Sequence, residues 1–170
     1  MMATSETVEF SRTGKQINAT DMALDRLVSG VAIVTTCSER MPYGMTAAWF
    51  ARASNEPYMV TVSVWGKNFT HEKMILSRNY AINILDEHSK DLAVHFGRQS
   101  GRDVDKFANI PYRLGESGAP ILFKDCLAYI DCRMVDSMKA GDHTIFLGHV
   151  LRAEILGQHD SLVYNRKDFP

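Results

Sequence analysis

Short apolar or β-branched runs alternate along this chain with polar breaks that contain glycine, proline or asparagine. Val31-Ala32-Ile33-Val34-Thr35-Thr36 is β-branched and apolar on both faces, the pattern of a central strand. A turn at Ser38 to Tyr43 leads into a second strand from Gly44 to about Ala53, and Asn55-Glu56-Pro57 turns the chain again. Met59 to Val64 alternates. Val60, Val62 and Val64 share the face that enters a core, and Met59, Thr61 and Ser63 share a face suited to polar groups or a ligand. Tyr80 to Leu85 and Cys126 to Asp136 alternate too, the latter with Cys126, Ala128, Ile130, Cys132 and Met134 on one side. Lys139-Ala140-Gly141-Asp142 predicts a turn, His143 to Ile155 a long return strand, and Leu162-Val163-Tyr164 a last short one.

Three short helices interrupt the strands. Asp21 caps the first, which runs to Ser29 with Met22, Leu24, Leu27 and Val28 on its apolar side and stops at Gly30. The second opens in Gly66-Lys67-Asn68-Phe69-Thr70-His71 and continues to about Ser77, with Phe69, Lys73 and Leu76 on one side. The third starts at the cap Ser89 and carries Leu92, Ala93 and Phe96 as its stripe. Gly97 to Gly118 reads as loop with one helical turn capped by Asp103, and Gly118 to Leu122 leads back into strand. Evenly spaced strands joined by hairpin turns predict a mainly β fold, an antiparallel barrel with short inserted helices. Residues 1–20 read as a flexible N-terminal arm and 21–170 as one domain.

Composition narrows the functional classes. The 170 residues suffice for one domain with a core, and 45% hydrophobic with 23% charged residues is ordinary for a globular protein. A net charge of −1 gives no basic field for nucleic acid or an anionic membrane. No apolar run approaches the roughly 20 residues that span a bilayer, and the polar N-terminus lacks the apolar stretch of a secretory signal. Three cysteines without a close pair argue against a disulfide framework and for a reducing, cytoplasmic compartment.

Few residues offer chemistry. Gly44-Met45-Thr46-Ala47-Ala48-Trp49-Phe50 is small at its centre and aromatic at its end, which suits a strand where a flat ligand lies against main-chain N–H groups. Lys67-Asn68-Phe69-Thr70-His71 places a cation and short donors at a helix start, an arrangement that holds a phosphate or merely caps a helix. Ser100-Gly101-Arg102 with Lys106 is a second cationic turn, either a phosphate clamp or a surface loop in which Arg102 pairs with Asp103 or Asp105. His143 in Gly141-Asp142-His143-Thr144 sits at the mouth of a strand, as an anion or ligand partner or as an exposed turn residue. No histidine pair has ligand spacing, so no metal site is expected. Cys126 and Cys132 fall in a core phase, and Cys37 at a strand end is the one thiol to test. Motifs for Rossmann nucleotide binding, P-loops, G-x-S-x-G hydrolases and H-E-x-x-H metalloenzymes are absent.

The ordered strings G-V-A-I-V-T-T, G-M-T-A-A-W-F, V-T-V-S-V, K-N-F-T-H, Y-A-I-N-I-L, S-G-R-D-V-D-K-F, G-A-P-I-L and G-D-H-T-I-F-L-G-H-V resemble the flavin reductase-like family over about Leu24 to Phe169. That resemblance implies an FMN-binding split β-barrel of antiparallel Greek-key type, a homodimer with flavin near the interface, and an NAD(P)H:flavin oxidoreductase. NADH or NADPH would give hydride to flavin N5, with FMN, or FAD, as the flavin and a monooxygenase as the recipient partner. The S-G-R-D-V-D-K-F string leans toward the flavoredoxin-like branch, electron carriers with tightly held FMN, and a non-enzymatic flavin or haem module on the same barrel is a third reading. The resemblance assigns ring contacts to Met45, Thr46, Ala47, Ala48 and Trp49, and Ser63, on the polar face of its strand, is a further candidate contact. It assigns the phosphate or ribityl chain to Lys67, Asn68, Thr70 and His71, with Ser100, Gly101, Arg102 and Lys106 adding to it. His143 falls on the nicotinamide side, and Tyr164 and Phe169 close the pocket. Ala48 stands where members often have Ser, and Gly44 where the flavoredoxin-like branch often has Asn.

Overall fold

A computed structural model describes residues 18–166 of the chain. Two units divide the described residues: 29–163 form one, and 18–28 with 164–166 form the other. In the smaller unit, α1 (Ala19–Leu24) begins at Asn18, whose side chain accepts the N–H groups of Thr20 and Asp21, while Asp21 returns a bond to the Asn18 N–H. Asp21 is thus the third residue of a capping box, not the cap expected from sequence. The helix is also shorter than expected and buries none of its residues. After Leu24 the chain tightens, with Arg26 and Leu27 donating to carbonyls three residues back, so the regular spiral ends before Ser29. Arg166 closes an ion pair with Asp25 in the same unit.

The larger unit is built on β1 (Ala32–Ser38), β2 (Met41–Ala47), β3 (Phe50–Asn55), β4 (Tyr58–Trp65), α2 (Phe69–Ser77), β5 (Asn79–Leu85), α3 (Lys90–Arg98), β6 (Tyr112–Leu114), β7 (Pro120–Leu122), β8 (Cys126–Ala140) and β9 (His143–Ile155). Seven strands form one antiparallel sheet in the order β2-β1-β5-β8-β9-β4-β3, and β6 and β7 form a small hairpin. The two edge strands, β2 and β3, are consecutive in the chain with only Ala48 and Trp49 between them, so the sheet must curl until its edges adjoin. That closure is the split barrel. Its core collects Ala32 and Val34 of β1, Ala47 of β2, Val60, Val62 and Val64 of β4, Tyr80 and Ile82 of β5, Cys132 and Met134 of β8 and Phe146 of β9.

The expected single strand from Gly44 to Ala53 is therefore two strands with a corner at Ala48-Trp49. The first starts early because Glu39 and Arg40 both take left-handed backbone (φ 53° and 65°), a two-residue turn matched to the twist of a hairpin. The face of α2 also differs from expectation: Thr70 and Met74 are buried, while Leu76 is exposed. The segment after Gly101 forms turns without a helix; Ser100, not Asp103, closes it by accepting the Arg102 N–H at its hydroxyl and the Asp103 and Val104 N–H groups at its carbonyl. A buried polar knot fixes the β6–β7 hairpin to the sheet: the Asn83 amide donates to the Ile33 carbonyl and Thr35 hydroxyl and accepts from Leu122 N–H at 2.8 Å.

Candidate flavin site

Register brings two turns together at one end of the β4–β9 pair. Trp65 pairs with His143 and Val64 with Thr144, so the turn that leaves β4 lies beside the β8–β9 hairpin. Gly66 N–H donates to the Asp142 carbonyl at 2.9 Å, and a Cβ at Gly66 would lie 3.4 Å from that oxygen. On this frame the His143 imidazole is held from two sides. Its Nδ1 donates to Asp142 Oδ1 at 2.7 Å, and its ring lies against the half-exposed Trp49 indole. The bond from His143 holds the Asp142 carboxyl below its usual range. With Nδ1 committed to Asp142, Nε2 is the ring nitrogen left for a ligand.

The start of α2 lies over the same end. Asn68 is its N-cap, yet its side chain makes no capping bond and instead approaches Met45 Sδ at 3.4 Å. His71 N–H donates to the Asn68 carbonyl at 3.0 Å, and the amides of Phe69 and Thr70 are left for another acceptor. Thr70 is buried, and His71 Nε2 meets the Thr144 hydroxyl at 2.8 Å while its ring packs edge-on to Phe146. Burial lowers the His71 pKa and favours its neutral form. Lys67 lies with its ammonium 5.5 Å from the centre of the Trp65 ring.

Beside the helix start is a cleft of about 530 Å³, within the range of small-molecule sites. Tyr43 and Gly44 of β2, Phe69 and Thr70 of α2, and Gly101, Arg102 and Lys106 of the following loop line it. The Arg102 guanidinium stacks over Phe69 at 4.5 Å and pairs with Glu72 at 2.9 Å, not with Asp103 or Asp105. A Cβ at Gly101 would stand 3.3 Å from the Phe69 ring, so the loop approaches closely because Gly101 lacks one. Lys106 is buried, and its ammonium donates to the carbonyls of Gly44 at 3.1 Å and Phe96 at 2.7 Å. Burial pushes its pKa down to about 8.

The corner from Met45 to Trp49 divides its labour. Met45 leans on the core, Ala47 is buried in it, and the Thr46 hydroxyl donates to the Ala93 carbonyl of α3. These side chains are engaged within the protein, so this stretch offers a ligand mainly backbone. Ala48 is half-buried, and Ser63 N–H donates to the Trp49 carbonyl at 2.8 Å, which fixes the corner against β4. Tyr164 belongs to the smaller unit, and Phe169 lies outside the described residues. The sequence reading missed Tyr43, Phe69, Asp142 and Thr144; the last two were legible as neighbours of His143, whereas the two aromatics gave no signal beyond ordinary core residues. Cys126 and Cys132 are buried with pKa values pushed to about 12, so neither presents a thiolate, and burial also raises that of half-buried Cys37.

A family described as "flavin reductase like domain" matches residues 24–170. The chain is 34% identical over 143 residues to a high molecular weight rubredoxin of Moorella thermoacetica, covering 84% of this chain and 62% of that one. It is 35% identical over 141 residues to the reductase component of a 4-nitrophenol 4-monooxygenase/4-nitrocatechol 2-monooxygenase of Rhodococcus opacus, covering 83% and 73%. The solved structure of the NADH:FAD oxidoreductase SgcE6 of Streptomyces globisporus C-1027 superposes with a TM-score of 0.79 at 27% identity, covering 95% and 93%. Across three curated relatives the chain spans from 42% to 73% of their length.

Proposed function

The chain belongs to the flavin reductase-like family, and on that premise we propose that it is an NAD(P)H-dependent flavin reductase that binds FMN and passes reduced flavin to a partner monooxygenase. The observation that carries this reading is the convergence of the uncapped α2 start, the cationic Arg102 loop, the Ala48-Trp49 corner and His143 on one end of the barrel. The donor set suits a flavin mononucleotide: helix-terminal amides and a guanidinium for a phosphate, strand backbone for a flat ring, and an imidazole beyond it. A bound flavin supplies the redox chemistry, taking hydride from nicotinamide at N5.

The chain's own residues position and shield. The amides of Phe69 and Thr70 with Arg102 would hold the phosphate, and Lys106 keeps the Gly44 and Phe96 carbonyls in place so that β2 and the loop share one wall. Backbone N–H groups near Ala48 would meet the polar edge of the ring. His143, fixed by Asp142, would orient the nicotinamide carboxamide through Nε2; no proton transfer is assigned to it. Trp49 would exclude water from that face. We further propose a homodimer that works in the cytoplasm, in line with three free cysteines and with the lack of any membrane-spanning helix among the described residues.

The test is one anaerobic absorbance titration. Protein with FMN, given NADH and separately NADPH, should lose the visible flavin band at catalytic protein concentration, and the faster donor identifies the preferred nicotinamide. The likeness to a rubredoxin supports a second reading, an electron carrier with tightly bound FMN. Bound flavin that resists both nicotinamides and is reduced only by dithionite would select it.

A further inference from the structure

Outside the cleft, the β5–α3 turn and the segment after β9 bring Glu87, His88 and His159 side by side. Spacing gave no sign of this, because the two histidines are far apart in sequence. The backbone locks them together. Asp86 and Ser161 form an antiparallel bridge, Glu87 N–H donates to the Asp160 carbonyl at 2.9 Å, and Leu162 N–H donates to the Leu85 carbonyl at 3.0 Å. Asp86 Oδ1 in turn accepts from the His88 N–H at 2.8 Å and the Ser89 hydroxyl at 2.9 Å, so the turn that carries both Glu87 and His88 is rigid.

The side chains already converge. The His88 and His159 rings are 5.5 Å apart at 73°, His88 Nε2 lies 3.7 Å from Glu87 Oε1, and one donor atom from each of the three residues falls within 4.8 Å of the others. An ion at about 2.0–2.2 Å from each donor needs those atoms at roughly 3–3.5 Å separation. All three side chains are exposed, so the remaining approach is asked of their rotamers. We infer that Glu87, His88 and His159 form a surface binding site for a divalent transition-metal ion. Two imidazoles and one carboxylate select the zinc, nickel, cobalt or copper class over magnesium or calcium, and water completes the coordination. The ion clamps the 159–161 segment to the start of α3, the helix whose Ala93 and Phe96 carbonyls hold Thr46 and Lys106. It binds the folded chain and therefore stabilises it by mass action.

The test uses untagged protein freed of metal with EDTA and dialysed. Titration with ZnCl₂ by calorimetry, and with CoCl₂ by visible absorbance, should show one saturable equivalent, with a rise in Tm on adding Zn²⁺. His88→Ala and His159→Ala should each weaken binding by about tenfold or more, while His149→Ala on β9 leaves it unchanged. Because protons compete for imidazole nitrogens, binding should also weaken on acidification. Tm measured in EDTA shows whether each variant folds like the parent. No saturable binding, or binding that survives both histidine substitutions, overturns the inference, and neither result depends on flavin reduction.

Discussion

The Trp49 indole lies against the His143 imidazole, with ring centres 4.7 Å apart and planes inclined by 37°. This pairing joins the corner between the sheet's two edge strands to the β8–β9 hairpin. It places the imidazole at the barrel's rim with Nδ1 committed to Asp142. If that ring orients nicotinamide, its loss should harm hydride transfer more than flavin binding. His143→Ala is expected to lower kcat/KM for the nicotinamide by about 10²-fold, the scale of lost alignment, with FMN affinity close to the parent's. Steady-state kinetics beside a fluorescence titration of FMN separates the two. Equal losses in both would assign His143 to the flavin or to the fold.

Two cations compete for the phosphate role. Arg102 lines the cleft and stacks on Phe69, whereas Lys67 lies over Trp65 and lines no part of that cleft. Arg102→Ala should therefore weaken FMN binding by about 1.5–3 kcal/mol, the value of a charge-assisted hydrogen bond. Lys67→Ala should weaken it less. Neither substitution should alter riboflavin affinity, since riboflavin has no phosphate. A ranking with Lys67 above Arg102 would move the phosphate to the β4–α2 turn.

Much of this architecture was legible because period-two alternation reports burial directly. The Val60-Val62-Val64 face is buried as expected, and β9 runs from His143 to Ile155 as its pattern indicated. What stayed hidden depends on pairing between distant segments. Nothing local in Ala48-Trp49 says that the two strands it joins sit at opposite edges of one sheet. Gly44 reads as room for a ligand, yet it equally makes room for the protein's own rings. Lys106 reads as part of a cationic turn that could clamp a phosphate, but the loop folds its ammonium inward onto two carbonyls. The candidate residues were named from their types and order; which side chains are occupied internally became visible only with the fold.

The close approach at Gly44 is measurable. A Cβ there would stand 2.9 Å from Phe96 Cε1, closer than Cβ atoms come to other carbons, and a tight 3.2 Å from Phe107 Cζ. Gly44→Ala is expected to destabilise the fold by about 1–3 kcal/mol through overpacking. The double variant with Phe96→Leu should recover part of that loss by opening space beside the new methyl group. Urea denaturation of the two single variants and the double gives the coupling. Additive losses would show that Phe96 does not set the need for glycine.

Lys106 makes a further prediction about pH. Its amine is buried with folded pKa about 8, against about 10.4 for an unfolded lysine. Between those values the unfolded chain binds more protons than the folded one, so stability rises with pH across that window and levels off below about pH 8. Deprotonation does not break the contacts, because a neutral amine keeps two hydrogens for the Gly44 and Phe96 carbonyls. Lys106→Met removes both donors and should cost about 1–3 kcal/mol at pH 7 by leaving buried carbonyls unpaired. It should also abolish the pH-dependent part. Urea unfolding of parent and variant at intervals from pH 7 to about 10 measures both effects, since the difference between the two proteins must widen as pH rises. A constant difference would mean that the Lys106 amine keeps its proton across the window, and that the two carbonyls outweigh burial in setting its pKa.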